Sequence, residues 1–272
     1  MAETAFVEYA AEGGVALLTL RNPPANTYSH EMMRALDEAI LRARFDDTVH
    51  VLVIRGAGDR FFCAGADIAM LDRAAPTFKY HFCLHANETL LRLEQTPKLV
   101  IAALNGHCVG GGLEIAMAAD LRIGWSSTAT GAKPAQVGLP EVTLGVLPGT
   151  GGTQRLARLI GKSRAIELMA SGRNFDMAEA ERLGVVNRVI EADSLDGFLA
   201  QVMEYARGFC PPHRASMAVG HIKRAVQSGA EVPLEAGLAL ERELQQRLFQ
   251  SEDAREGIGA YNQKRLPEFK GR

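Results

Sequence analysis

The segment Asn105-Gly106-His107-Cys108-Val109-Gly110-Gly111-Gly112-Leu113-Glu114-Ile115-Ala116-Met117-Ala118-Ala119-Asp120-Leu121-Arg122-Ile123 decides the architecture. It follows an apolar run, Leu99 to Leu104, that reads as a strand. Gly110 to Gly112 let the backbone turn sharply and approach a ligand closely. The residues behind them predict a helix that begins in the glycine run and continues through Met117. Such a helix N-terminus carries unpaired N–H groups and a partial positive charge. Leu121 to Ile123 then resumes as a short strand. Strand, turn, helix and strand in succession argue for an α/β class in which crossover elements cover the sheets.

The same alternation extends upstream. Val15 to Leu20 and Val51 to Ile54 read as strands. Between them Ser29 opens a helix with Met32, Leu36, Ala39, Ile40 and Ala43 on one face. Phe82 to Leu93 predicts another helix, stopped by Pro97. Downstream the character changes, and from about Leu195 the pattern is almost wholly helical, punctuated by Pro211, Pro212 and Pro233. Its longest helix is expected over Glu235 to Gln250. There Leu240, Leu244 and Leu248 recur every four residues, a face suited to its own domain or to another subunit.

Composition bounds the function. The 272 residues are 47% hydrophobic and 23% charged, which excludes disorder for most of the chain. Thirty Lys and Arg balance 32 Asp and Glu, a net charge of −2 that argues against a general nucleic-acid or membrane-surface binder. No apolar window approaches the ~18 residues of a spanning helix. Cys63, Cys83, Cys108 and Cys210 form no CxxC pair and read as reduced thiols. The first fourteen residues lack the basic and apolar pattern of a targeting segment, so a cytoplasmic protein is expected.

Two further glycine segments accompany the first: Phe62-Cys63-Ala64-Gly65-Ala66-Asp67-Ile68, and Gly138-Leu139-Pro140-Glu141 running on to Gly149-Thr150-Gly151-Gly152-Thr153-Gln154-Arg155-Leu156. Two glycine turns facing each other can hold a developing oxyanion between backbone donors. Nucleotide motifs fail in detail. Gln154 stands where a dinucleotide fingerprint needs its last glycine, and Leu156 where a P-loop needs its first. His81, His85 and Glu88 share a helical face but form no HExxH motif, so no metal is expected.

Together these stretches closely resemble the enoyl-CoA hydratase, or crotonase, superfamily. FCAGADI (62–68) resembles its first oxyanion segment, NGHCVGGGLEIAMAADLRI (105–123) its second, GLPEVTLGVLPGTGGTQRL (138–156) its second acidic segment, and KRLPEF (264–269) its usual ending. The resemblance implies a crotonase-like spiral of ββα turns over residues 1–195, holding the acyl-CoA site, and a helical oligomerisation region over 196–272. It implies a homotrimer, or a homohexamer built as a dimer of trimers. It places the backbone N–H groups of Ala66 and Gly111 on the thioester oxygen and Glu114 and Glu141 at the acid–base positions. It implies CoA contacts at Ala64, Ala66 and Ile68, with Lys264 and Lys270 near the phosphates. CoA belongs to the substrate, so no separate cofactor, metal, nucleic acid or membrane is expected.

The expected activity is that of an enoyl-CoA hydratase of the β-oxidation type: reversible addition of water across the 2,3 double bond of a 2-enoyl-CoA. The alternatives are a 3,2-enoyl-CoA isomerase, which needs a proton shuttle but no held water, and a non-catalytic acyl-CoA-binding oligomer. Three features depart from the family pattern. Ser126 to Lys133 forms a long small-residue loop, Tyr28 stands where a smaller residue is common, and Cys63 replaces a small apolar residue.

Overall fold

Burial of both faces of a largely parallel sheet organises the molecule. The computed structural model describes residues 5–272; the first four, where the targeting-segment reading begins, lie outside the described residues. The strands are β1 (Val7–Glu12), β2 (Val15–Leu20), β3 (Val51–Gly56), β4 (Phe61–Cys63), β5 (Leu99–Leu104), β6 (His107–Val109), β7 (Leu121–Ser127), β8 (Gln136–Gly138), β9 (Phe175–Asp176) and β10 (Arg188–Ala192). The helices are α1 (His30–Phe45), α2 (Ile68–Arg73), α3 (Pro76–Glu94), α4 (Gly111–Met117), α5 (Gly152–Ile160), α6 (Lys162–Ser171), α7 (Met177–Leu183), α8 (Leu195–Arg207), α9 (Ser216–Gly229), α10 (Leu234–Phe249) and α11 (Glu252–Asn262).

A six-stranded sheet runs in the order β1-β2-β3-β5-β7-β10 and a four-stranded one in the order β4-β6-β8-β9. Beyond the antiparallel β1–β2 hairpin, all pairs in the larger sheet are parallel. Three times the chain gives a strand to the large sheet and then one to the small sheet: β3 then β4, β5 then β6, β7 then β8. Helices α2 and α3 follow the first pair and α4 the second. This is the ββα spiral that the resemblance implies.

The strands are apolar runs because both of their faces are covered. In β3, Leu52 and Ile54 face one core, with Met32, Leu36 and Ile40 of α1 and Phe82 and Leu90 of α3. Val51 and Val53 face the other, with Phe198, Val202 and Ala206 of α8. Helix α1 starts where Ser29 caps it, accepting a hydrogen bond from Met32 N at 3.3 Å. Helix α3 starts earlier than predicted, at Pro76, whose missing N–H is no loss in a first turn.

One expectation is corrected. Ser126 and Ser127 belong to β7, not to a loop, because they pair with Glu191 and Ala192 of β10. The loop is the exposed stretch 128–134, tied back by Thr128 N–H to Ala192 O. The short strands β4, β6 and β8 were not predicted, since three residues carry no periodicity.

Helix α10 lies within a residue of its expected span, and only Leu244 of its leucine row is fully buried. Leu234, Leu238 and Phe249 are exposed on it, as are Ile258 and Tyr261 on α11. Among the described residues no helix is long and apolar enough to cross a membrane.

Candidate active site

The corner between β5 and β6 sets the first oxyanion-type turn in place. Asn105, fully buried, accepts from Gly56 N at 2.8 Å and donates to Gly56 O and Gly58 O at 3.0 and 2.7 Å. It thereby locks β5–β6 onto the turn before β4. The segment before α1 is laced to the same turn. Asn26 donates to Ala57 O and Phe61 O, both at 2.9 Å, and Ala64 N donates to Ala25 O at 3.0 Å. Tyr28 then runs alongside Ala66: its N–H donates to Gly65 O at 2.9 Å, and its carbonyl accepts from Asp67 N at 3.0 Å.

Gly65 and Gly110 both have positive φ, 90° and 57°, and bring the two turns together. A Cβ on Gly65 would lie 3.2 Å from the Gly111 nitrogen and 3.3 Å from Val109 O. Gly111 is the first residue of α4, so its N–H has no acceptor inside the helix. Among the described residues neither Ala66 N nor Gly111 N donates to another protein group. A Cβ on Gly111 would collide with the Tyr28 ring, which fixes glycine there.

Glu114 sits in the first turn of α4, buried at 2% exposure. The loop Pro148-Gly149-Thr150-Gly151 and the first residue of α5 wrap around its carboxylate. Thr150 N and Gly152 N both donate to Oε1 at 2.7 Å. This cradle requires small residues. A Cβ on Gly152 would lie 2.9 Å from Glu114 Oε1, and Gly151 takes φ 104° with Arg155 against it. Arg155 braces the loop, donating to Thr150 O at 3.1 Å while holding Glu94 with two hydrogen bonds at 2.7 Å. Burial raises the proton affinity of Glu114, and the two N–H donors and Arg155 partly offset that rise.

Glu141 opens a 3-10 turn, Glu141–Leu144. A Cβ on Gly110 would lie 3.2 Å from its Oε1, so this carboxyl faces the Gly110–Gly111 turn. Its Oε2 is buried with no protein partner. Burial pushes its pKa up to about 7, and the charge of Glu114 adds to the rise. The structure therefore brings Ala66, Gly111, Glu114 and Glu141 together.

The other expected contacts are distributed differently. Ala64 and Ile68 flank Ala66, with Ile68 half-exposed at the start of α2. Lys264 lies just past α11 with φ 55°, and Lys270 lies in the C-terminal tail, its N–H on Asp253 Oδ1 at 2.7 Å. No hydrogen bond or ion pair links either lysine to the Glu114–Glu141 cluster within the described chain. The four cysteines are free, and burial pushes Cys63 up to about 12, so that thiol packs and does not ionise. His85 lies 3.5 Å from Thr89 Oγ1 through Nε2, and among the described residues no three metal-type ligands converge.

Sequence reasoning missed Thr150, Gly152, Arg155 and the Tyr28 hydroxyl. The run Gly149-Thr150-Gly151-Gly152 was the available signal, because stacked glycines before a helix present N–H groups to a carboxylate as readily as to a substrate.

Comparison with known proteins now decides the lineage. Residues 10–272 match the enoyl-CoA hydratase/isomerase family. The chain belongs to that family. Among curated relatives, a short-chain-enoyl-CoA hydratase of Clostridium acetobutylicum is 36% identical over 263 residues, 96% of each chain. A 2,3-dehydroadipyl-CoA hydratase of Escherichia coli K12 is 38% identical over 263 residues, 95% of this chain and 96% of that one. Among solved structures, an enoyl-CoA hydratase from Geobacillus kaustophilus HTA426 superposes with a TM-score of 0.93 at 42% identity, covering 100% of this chain and 98% of the other. One from Bacillus anthracis gives 0.89 at 32% identity, covering 98% and 100%. The family's fold is thus shared over essentially the whole chain.

Proposed function

We propose that this protein is a 2-enoyl-CoA hydratase in which Glu114 and Glu141 handle the protons of one water. The observation that carries this reading is the buried Glu114 carboxyl and the half-buried Glu141 carboxyl beside the Gly110–Gly111 turn, one cradled by two N–H donors and one without a partner on Oε2. An isomerase moves one proton and needs a single base. Two carboxyls with different surroundings suit a reaction that both activates water and protonates carbon. The hydratase names of the Clostridium and Escherichia relatives support hydration over isomerisation.

In this reading the Ala66 and Gly111 N–H groups hold the thioester oxygen. As the enolate develops, each contributes on the order of 3 kcal/mol. Glu114, whose N–H donors favour its ionised form, takes a proton from the water that attacks the β-carbon. Glu141, with a pKa raised to about 7, is substantially protonated at neutral pH and delivers a proton to the α-carbon. The sum is one water added and no change of oxidation state, so the step needs no further cofactor. Backbone at Ala64, Ala66 and Ile68 contacts the CoA, and Lys264 and Lys270 meet its phosphates from a neighbouring subunit.

The exposed apolar residues of α10 and α11 support self-association as a trimer or hexamer. The free thiols suit a reducing cytoplasm, and we assign the enzyme to acyl-CoA breakdown of the β-oxidation type. Glu114→Gln and Glu141→Gln are each expected to lower crotonyl-CoA hydration by orders of magnitude with KM little changed. Near-wild-type turnover in either variant removes that residue from the mechanism. Conversion of 3-enoyl-CoA without hydration of crotonyl-CoA would favour the isomerase.

A further inference from the structure

Tyr28 lies outside the three glycine segments, yet it is the side chain that joins them. Its ring covers Gly111, stacks on Phe82 of α3 with centroids 5.5 Å apart, and is 3% exposed. Its hydroxyl meets Thr150 Oγ1 at 2.9 Å. Thr150 is the residue whose N–H holds Glu114 Oε1 at 2.7 Å.

A hydroxyl has one proton to give. Among the described residues, Thr150 Oγ1 is the one hydrogen-bond partner of the buried Tyr28 hydroxyl, and either oxygen can supply the proton between them. Either way the bond fixes the Thr150 side chain, and with it the N–H that holds Glu114 Oε1. Tyr28 stays neutral, held well above the usual phenol range by burial and by the charge of Glu114, so the hydrogen bond to Thr150 persists throughout the working pH range.

We propose that Tyr28 is a positioning residue which, given the role proposed above for Glu114, acts through Thr150 to keep the Thr150 N–H on the Glu114 carboxylate and that carboxylate in one orientation. The other groups facing Glu114 are Arg155 of α5, which favours its ionised form, Glu141 of the 3-10 turn, which opposes it, and the thiol of Cys83 on α3. None of these touches the Tyr28 hydroxyl, so its removal isolates one contribution.

The test uses the intact protein with Tyr28→Phe, Thr150→Val and Thr150→Ser. Two readouts are taken: the pH dependence of kcat/KM for crotonyl-CoA, and a carbon-13 NMR titration of the Glu114 carboxyl in substrate-free protein, assigned with Glu114→Gln. Tyr28→Phe keeps the ring on Gly111 and is expected to raise the Glu114 titration and the acid limb of the profile together. The rise should be about half to one pH unit, a roughly 3- to 10-fold loss on the acid side. Thr150→Val should do at least as much, Thr150→Ser should restore wild-type behaviour, and the Tyr28→Phe/Thr150→Val pair should be no worse than Thr150→Val alone.

An unmoved carboxyl titration in Tyr28→Phe, or additive effects in the double variant, overturns the proposal. If Tyr28→Phe does not fold, Thr150→Val against Thr150→Ser decides the matter. A wild-type protein inert to crotonyl-CoA would count against the functional reading alone, because the NMR titration still tests Tyr28.

Discussion

Gly152→Ala adds a single methyl group to the cradle of Glu114. The new Cβ would lie 2.9 Å from Glu114 Oε1, 3.1 Å from its Cγ and 2.8 Å from Pro148 Cβ. Ordinary contact begins near 3.4 Å, so the carboxylate must move by roughly half an ångström or more, away from the Thr150 and Gly152 N–H groups that hold it at 2.7 Å. Losing one charge-assisted hydrogen bond costs about 1.5–3 kcal/mol. Displacing a reacting group by roughly 1 Å lowers turnover by about 100-fold. Both routes converge on a fall in kcat of about 100-fold, equivalent to roughly 2.7 kcal/mol of barrier.

Helix propensity works in the opposite direction, since alanine in α5 gains up to ~1 kcal/mol over glycine, so the variant should fold. Gly259→Ala, in α11 with open space around it, is the control and should leave activity unchanged. The assay is the loss of conjugated-thioester absorbance with crotonyl-CoA, together with thermal unfolding of each variant. A Gly152→Ala enzyme with wild-type kcat and Tm would refute the claim that this cradle sets the position of Glu114.

Other perturbations reach further into the molecule. Glu141 titrates near 7 when folded but near 4.3 when unfolded, so the folded state binds the extra proton between those values and stability falls as pH rises through them. Glu141→Gln should therefore melt like wild type below about pH 4 and several degrees higher at pH 8, a difference read by calorimetry. Lys223 of α9 is buried against Asp120 at 2.9 Å and donates to Lys98 O at 3.0 Å. Lys223→Met strands the Asp120 charge and should lose about 3–5 kcal/mol in urea unfolding. Ser29→Ala removes the cap of α1 and should lose about 1 kcal/mol by the same measurement.

How much of this was legible depends on whether the cause is local. The spans of β2 and β5 were read correctly because strands buried on both faces are continuous apolar runs. Ser29 announced α1, and the glycine run announced α4, because capping and tight turns are set by neighbours in the chain. Strands β4, β6 and β8 were invisible, because their pairing is decided by segments remote in sequence.

The carboxyls at 114 and 141 were named from the resemblance, but not the loop that holds one of them. Backbone N–H groups of Thr150 and Gly152 leave no side-chain signature. Tyr28 registered only as a departure from pattern, since its contact with Gly111 and Thr150 exists only after the chain has folded. Lys264 and Lys270 were named only through the resemblance, and neither is hydrogen-bonded or ion-paired to the carboxyls among the described residues.

The most direct test of the central claim is to incubate the purified protein with crotonyl-CoA and weigh the product. The account predicts loss of the conjugated absorbance and a product heavier by one water with CoA still attached, formed at least a hundredfold more slowly by Glu114→Gln. Release of free CoA, or an unchanged mass with the double bond relocated, would contradict it.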